Sequence, residues 1–307
     1  METVLSFLPK NIIEHIQLIP PSQKIEIEEI RIRINRPIEV TMGGRSIFLP
    51  YTVLPEDGIH LLNKISHHSI YALEEELRRG YITIDGGHRV GLAGKVILES
   101  GKVKAIRDIS SFNIRIAKEK IGIADPLVPF LFDQNWMHTM IIGPPQTGKT
   151  TLLRDIARVV STGDQLRAIP SQKVGIVDER SEIAGCVNGI PQLTFGPRID
   201  VLDACPKAEG MMMMIRSMSP QVLVVDEIGR LEDSEAILEA VNAGIKLMMT
   251  THGESLEEIQ KRPSLQMILE QGIFQRYIEL SRQKGPGTIT KIKDKYGKEI
   301  SSKVRVT

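Results

Sequence analysis

The run Gly143-Pro144-Pro145-Gln146-Thr147-Gly148-Lys149-Thr150 constrains this chain more than any other feature. It fits the pattern G-x-x-x-x-G-K-T without a mismatch, and its context is right. Met137–Ile142 before it reads as an apolar strand, and Leu152, Leu153, Ile156 and Val160 after it have helical spacing. A strand, a glycine-rich turn and a helix in that order aim backbone N–H groups and the positive end of a helix at one point, which is how phosphate is held. Gly143 and Gly148 let the backbone turn. Lys149 is expected to reach the β- and γ-phosphates, and the Thr150 hydroxyl to meet Mg²⁺. Pro144, Pro145, Gln146, Thr147 and Thr151 complete the expected nucleotide-binding stretch, and ATP and Mg²⁺ are the cofactors it implies.

A loop of this kind needs a parallel sheet around it, and the downstream sequence supplies the strands. Val174–Asp178, Val222–Asp226 and Ile245–Thr251 are short and almost wholly apolar, and helical stretches near Ala208–Ser217 and Ser234–Ala243 separate them. Strands with no polar face are covered on both sides. Phe274–Leu280 and Thr288–Ile292, joined through Gly285-Pro286-Gly287, read as a closing hairpin.

The first part of the chain follows another rhythm. Val4 to Ile16 reads as a helix ended by Pro20-Pro21. Ile25–Ile34 alternates on both sides of Glu29, and Val40–Leu49 reads as a strand pair around Gly43-Gly44. Residues 56–79 read as helices with Ile59, Leu62, Ile65, Ile70, Leu73 and Leu77 as the apolar stripe. Tyr81–Val96 reads as a hairpin and Lys102–Ile116 as strand. This is an α+β domain with much antiparallel pairing. Polar residues and Pro126 and Pro129 place the boundary near Asp125, giving domains 1–125 and 126–307.

The strand ends carry the candidate chemistry. Asp226 closes the third strand, beside the phosphate loop in sheets of this kind, where a carboxylate holds the Mg²⁺ shell. Glu227 follows and is placed to polarise an attacking water. Asp178-Glu179-Arg180 ends the second strand. Glu179 is a candidate for the water or the metal shell, and Arg180 for pairing with Glu182. Thr250-Thr251-His252 ends the fourth strand, with His252 a candidate γ-phosphate sensor. Phosphoryl transfer also gains from a guanidinium supplied in cis or in trans, for which Arg89, Arg107, Arg115, Arg198 and Arg216 are candidates. Met211–Met214 reads as helix core, and Trp136, next to the first strand, is a candidate to stack on adenine.

Composition excludes some classes. The net charge of +1 gives no field to recruit nucleic acid, and aromatics at 4% leave few platforms for stacking bases. Cys186 and Cys205 lack partners at zinc spacing, which points to a reduced compartment and no zinc. No run approaches the roughly 20 apolar residues of a membrane span. A cytoplasmic protein is expected.

At these motifs the sequence resembles the secretion-superfamily ATPases, the motors of type II and type IV secretion and of pili. Shared are the phosphate loop, an acidic box at Asp178-Glu179, the Walker B strand through Asp226 and Glu227, and a histidine box at His252. The stretches Tyr81–Gly91, Gly196–Asp203 and Pro206–Met211 narrow the likeness to the stage III sporulation protein AA family of endospore-forming bacteria. The resemblance implies a RecA-like core behind an N-terminal domain that supplies Arg89 and Arg107 to the nucleotide. It also implies a homo-oligomer, a hexamer, that hydrolyses ATP to power a membrane channel between mother cell and forespore. Its partners would be membrane proteins of that channel, met from the mother-cell cytoplasm. The second-strand box departs from the superfamily, reading Asp178-Glu179-Arg180-Ser181-Glu182 in place of Glu-Asp-Pro. Two other classes fit the core. One is a nucleic-acid-stimulated ATPase, favoured by Arg31, Arg33 and Arg36. The other is a small-molecule kinase, disfavoured by the Asp226-Glu227 pair.

Overall fold

The computed structural model describes residues 1–66 and 74–301. The chain divides into two compact units, Met1–Lys118 and Glu119–Thr307. The division falls a little before Asp125.

The first unit comprises α1 (Glu2–Phe7), α2 (Lys10–Gln17), α3 (Pro21–Lys24), β1 (Ile27–Arg33), β2 (Pro37–Met42), β3 (Arg45–Thr52), α4 (Pro55–Ile65), α5 (Glu74–Arg79), β4 (Tyr81–Ile84), β5 (His88–Glu99) and β6 (Lys102–Arg115). The strands form one antiparallel sheet in the order β3-β2-β1-β6-β5-β4. The phase break at Glu28-Glu29 has a structural counterpart, because the β1–β2 register slips between Ile27 and Glu29. A bulge there keeps Ile27, Ile30 and Ile32 all on the buried face. Val4, Leu8, Ile12 and Ile16 pack on that face with Val90, Phe112 and Ile114.

Two expectations are corrected. The helix expected over Val4–Ile16 is two helices, because Pro9 lacks an N–H and serves as the N-cap of α2. In α4 the buried stripe runs through Leu61 and Ile65, whereas Ile59 is 62% exposed. Ile70 and Leu73 lie outside the described residues.

The second unit comprises α6 (Val128–Leu131), β7 (Phe132–Asp133), β8 (Asn135–Trp136), β9 (Thr139–Ile142), α7 (Lys149–Thr162), β10 (Val174–Asp178), β11 (Ile199–Asp203), α8 (Lys207–Met218), β12 (Val222–Val225), α9 (Leu231–Asn242), β13 (Lys246–Thr251), α10 (Leu256–Ile259), α11 (Pro263–Glu270), β14 (Arg276–Ser281), β15 (Thr288–Asp294) and β16 (Glu299–Ser301). Its main sheet runs β11-β10-β12-β13-β9-β14-β15-β16. Pairing is parallel from β11 to β14 and antiparallel in β15 and β16. The fold class is α/β. One core lies under α7, with Leu153, Ile156, Ile176 and Val224. Another lies under α8 and α9, with Val177, Met211, Met214 and Ile237. Every residue of β9, β10 and β12 is therefore buried, as their apolar sequences require. Strand β11 is an addition to the strands expected from the sequence.

One consequence of this strand order builds the site. Strand β13 lies between β9, which leads into the phosphate loop, and β12, which leads into Asp226. The carboxyl ends of all three open on the same edge.

Candidate active site

Gly148 is the N-cap of α7 with φ of +88°, a left-handed conformation that favours glycine. A Cβ there would lie 3.1 Å from the backbone nitrogen of Gly287, in the turn between β14 and β15. The Gly287 N–H donates to the Thr147 carbonyl at 2.8 Å, and Arg282 donates to the Gln146 side chain at 3.1 Å. The closing hairpin thus braces the outer side of the phosphate loop. From within, buried Thr147 donates to the Pro144 carbonyl at 2.8 Å.

Lys149 is 5% exposed. Its ammonium donates to the carbonyls of Gly143 (2.8 Å) and Pro144 (2.9 Å) and lies 3.1 Å from His252 Nδ1. Burial draws its pKa below the usual lysine range, against the pull of Asp226 and Glu227. An ammonium only donates, so Nδ1 of His252 accepts and its ring hydrogen sits on Nε2. That nitrogen lies 3.0 Å from Glu227 Oε1.

The Thr150 hydroxyl donates to Asp226 Oδ2 at 2.5 Å. The other carboxylate oxygen accepts from the hydroxyl of Thr250, on the intervening strand, and from the Glu227 N–H at 3.1 Å. The same Glu227 N–H lies 2.9 Å from Thr250 Oγ1. Glu227 has φ of +54°, a conformation that costs a non-glycine residue on the order of 1 kcal/mol, and these bonds hold it there. It turns the side chain off the strand line, so that Glu227 points toward His252 and Arg180 while Asp226 points at Thr150.

The second-strand box differs from expectation. Arg180 pairs with Glu227 Oε2 at 2.7 Å, not with Glu182. Glu179 pairs with Lys207 at 2.5 Å. Both glutamates line one narrow cleft with Asp178 and Asp226, but the Glu179 carboxylate is committed to a lysine that is 8% exposed. Asp178 is a turn-former: it is 2% exposed and accepts the N–H groups of Glu182, Ile183 and Ala184, each at 2.9 Å. Burial outweighs those bonds and pushes its carboxyl up to about 6.

Of the remaining candidates, Thr151 lies half-buried in the first turn of α7. Thr251 is buried and donates to the Ile228 carbonyl at 2.9 Å. Trp136 is core, 1% exposed and edge-on to Phe132 at 5.4 Å, so it has no face for adenine. Arg198 donates to the Ser171 carbonyl at 2.6 Å, and Arg216 is exposed on α8. Arg89, Arg107 and Arg115 belong to the first unit. There Arg89 stacks over the Tyr81 ring at 3.4 Å, Arg107 is exposed on β6, and Arg115 lies 3.7 Å from Glu29.

Sequence reasoning passed over Lys207 and Arg154. Lys207 begins α8 directly after Pro206, a common helix start that marks the element but not its charge partner. Arg154 reaches the carbonyls of Glu182 and Ile183, each at 2.6 Å, and so ties α7 to the loop after β10.

Residues 3–300 match the family model described as sporulation stage III, protein AA. Stage III sporulation protein AA of Bacillus subtilis is 58% identical over 301 residues, 98% of this chain and 97% of the relative. The uncharacterised protein ycf45 of Cyanidium caldarium is 32% identical over 160 residues, 52% of this chain and 45% of the relative. Among solved structures, the ATPase DotB of Legionella pneumophila aligns at TM-score 0.54 and 19% identity, covering 87% of this chain and 74% of that one. The pilus retraction motor PilT with bound ADP aligns at 0.58 and 18%, covering 88% and 76%. The two solved structures share the fold. Likeness along nearly its whole length shows that the chain belongs to the sporulation stage III protein AA family.

Proposed function

We propose that this chain is a Mg²⁺-dependent ATPase with a RecA-like core that works as a homo-oligomeric ring, a hexamer, and powers a membrane-spanning complex between mother cell and forespore. The observation that carries the enzymatic reading is the gathering of Lys149, Thr150, Asp226 and Glu227 at the edge where β9, β13 and β12 end, with the Thr150 hydroxyl 2.5 Å from Asp226. PilT, which shares the fold, was solved with ADP.

The residues present fit Mg²⁺. A hydroxyl and one carboxylate are hard oxygen donors, and Mg²⁺ characteristically takes few protein ligands and fills its octahedron with water and phosphate. Thr150 and Asp226 would hold it, and it would neutralise charge on the β- and γ-phosphates. Lys149 swings its ammonium from the loop carbonyls to those phosphates. Glu227 accepts a hydrogen bond from the attacking water and orients it in line. His252 touches both Lys149 and Glu227, so it connects phosphate contact to the hydrolytic carboxylate. Arg89 and Arg107 are proposed to reach a neighbouring subunit's nucleotide, and Glu179 to shape the cleft through Lys207. Among the described residues no helix is long and apolar enough to cross a membrane. The membrane link is therefore proposed to run through partner proteins, from the mother-cell cytoplasm.

The test is phosphate release from ATP together with size determination in Mg²⁺ and ATP. Turnover that Lys149→Ala abolishes, by a species of six subunits, is expected. A monomer under those conditions contradicts the ring, and turnover retained by Lys149→Ala contradicts the site.

A further inference from the structure

We infer that Arg180 is a positioning residue for Glu227. The inference rests on the hydrolytic role proposed above. Arg180 follows β10 and Glu227 follows β12, and these strands are parallel neighbours in register from Val174 and Val222 onward. Their carboxyl ends therefore emerge side by side, and the guanidinium meets Glu227 Oε2 at 2.7 Å while His252 Nε2 lies 3.0 Å from Oε1. A cation on one oxygen and an imidazole on the other fix the plane of the carboxylate. Each oxygen has two lone pairs, so one on each stays open to a water. The arrangement orients Glu227 without blocking it.

Stability does not account for the pair. The Arg180 side chain is 56% exposed, and ion pairs that face solvent contribute little. Nor does Arg180 secure its own loop. Asp178 and Arg154 do that, by binding the backbone of Glu182, Ile183 and Ala184. Among the described residues, the guanidinium's ion pair is with Glu227.

Steady-state ATP hydrolysis by the full chain tests this with Arg180→Ala, Arg180→Lys and Glu227→Gln, singly and with Arg180→Ala added to Glu227→Gln. Misplacing a catalytic group by a small distance costs on the order of 10- to 100-fold in rate. Arg180→Ala is expected to lower kcat by about 10-fold or more with KM for ATP unchanged, because no contact to nucleotide is lost. Arg180→Lys is expected to recover part of that loss, and Arg180→Ala to add nothing to Glu227→Gln. Unchanged kcat in Arg180→Ala, alongside an inactive Glu227→Gln, overturns the inference and leaves the hydrolytic role of Glu227 standing. A several-fold rise in KM assigns Arg180 to the nucleotide and also overturns it. Full activity in Glu227→Gln defeats the parent reading instead. Equal melting temperatures for Arg180→Ala and the parent chain separate these outcomes from misfolding.

Discussion

The Thr150 hydroxyl and the Asp226 carboxylate, 76 positions apart in the chain, are joined by a hydrogen bond of 2.5 Å. Thr150 belongs to the first turn of α7 and Asp226 directly follows β12, and the buried Thr250 on β13 bonds the other carboxylate oxygen. Strand order thus converts two distant motifs into one oxygen pair. Asp226→Asn removes a charge from that pair, and Thr150→Ala removes an oxygen. Both are expected to raise the Mg²⁺ concentration for half-maximal phosphate release by about 10-fold or more, with melting temperature held within a few degrees. Titration of activity with MgCl₂ at saturating ATP reads this directly.

The bracing of the phosphate loop by the closing hairpin gives a separate expectation. Gly148→Ala meets both the left-handed cost of about 1–2 kcal/mol and a 3.1 Å contact with Gly287. Gly244→Ala meets a similar φ, +77°, but has nothing within 4 Å of its new methyl group. Thermal unfolding is expected to show a loss for both. Fluorescent-nucleotide titration is expected to show weakened binding, by about 10-fold or more, for Gly148→Ala alone.

A pH dependence follows from Asp178. Its folded-state pKa of about 6 stands above the ordinary 3.8. Between about pH 4 and pH 6 the folded chain keeps a proton that the unfolded chain has released, so the stability this residue contributes is complete below pH 4 and lost as pH rises through 6. A shift of that size corresponds to about 3 kcal/mol. Urea unfolding from pH 4 to pH 7 is expected to show the parent chain losing stability relative to Asp178→Asn by that order. Parallel curves would mean that the carboxyl titrates normally.

Much of the second unit could be read from sequence because its strands are buried on both faces. Val174–Val177 and Val222–Val225 are uninterrupted apolar runs, and the phosphate loop fixes where their ends must point. Strand β11 could not be read so easily. Ile199–Asp203 is half-buried throughout, and two of its five residues are aspartates, so as an edge strand it carries neither a continuous apolar run nor a clean alternation. In the first unit, the expected stripe holds at Ile65 and Leu77 but not at Ile59, which is as apolar as Leu61, so that only packing decides between them. Glu182 is near Arg180 in sequence, but Glu227 is its partner because strand pairing brings the ends of β10 and β12 together. The lone tryptophan was buried by a short ribbon, β7–β8, that is too small to show as a pattern.

The most direct test of the central claim is a paired measurement on Glu227→Gln: nucleotide affinity and phosphate release on one preparation. General-base assistance contributes on the order of 10²- to 10⁴-fold. Mg²⁺-ATP is expected to bind as tightly as to the parent chain, through Lys149 and Thr150, while phosphate release falls by at least about 100-fold. Phosphate release at the parent rate, with binding intact, would contradict the assignment of Glu227 as the hydrolytic carboxylate.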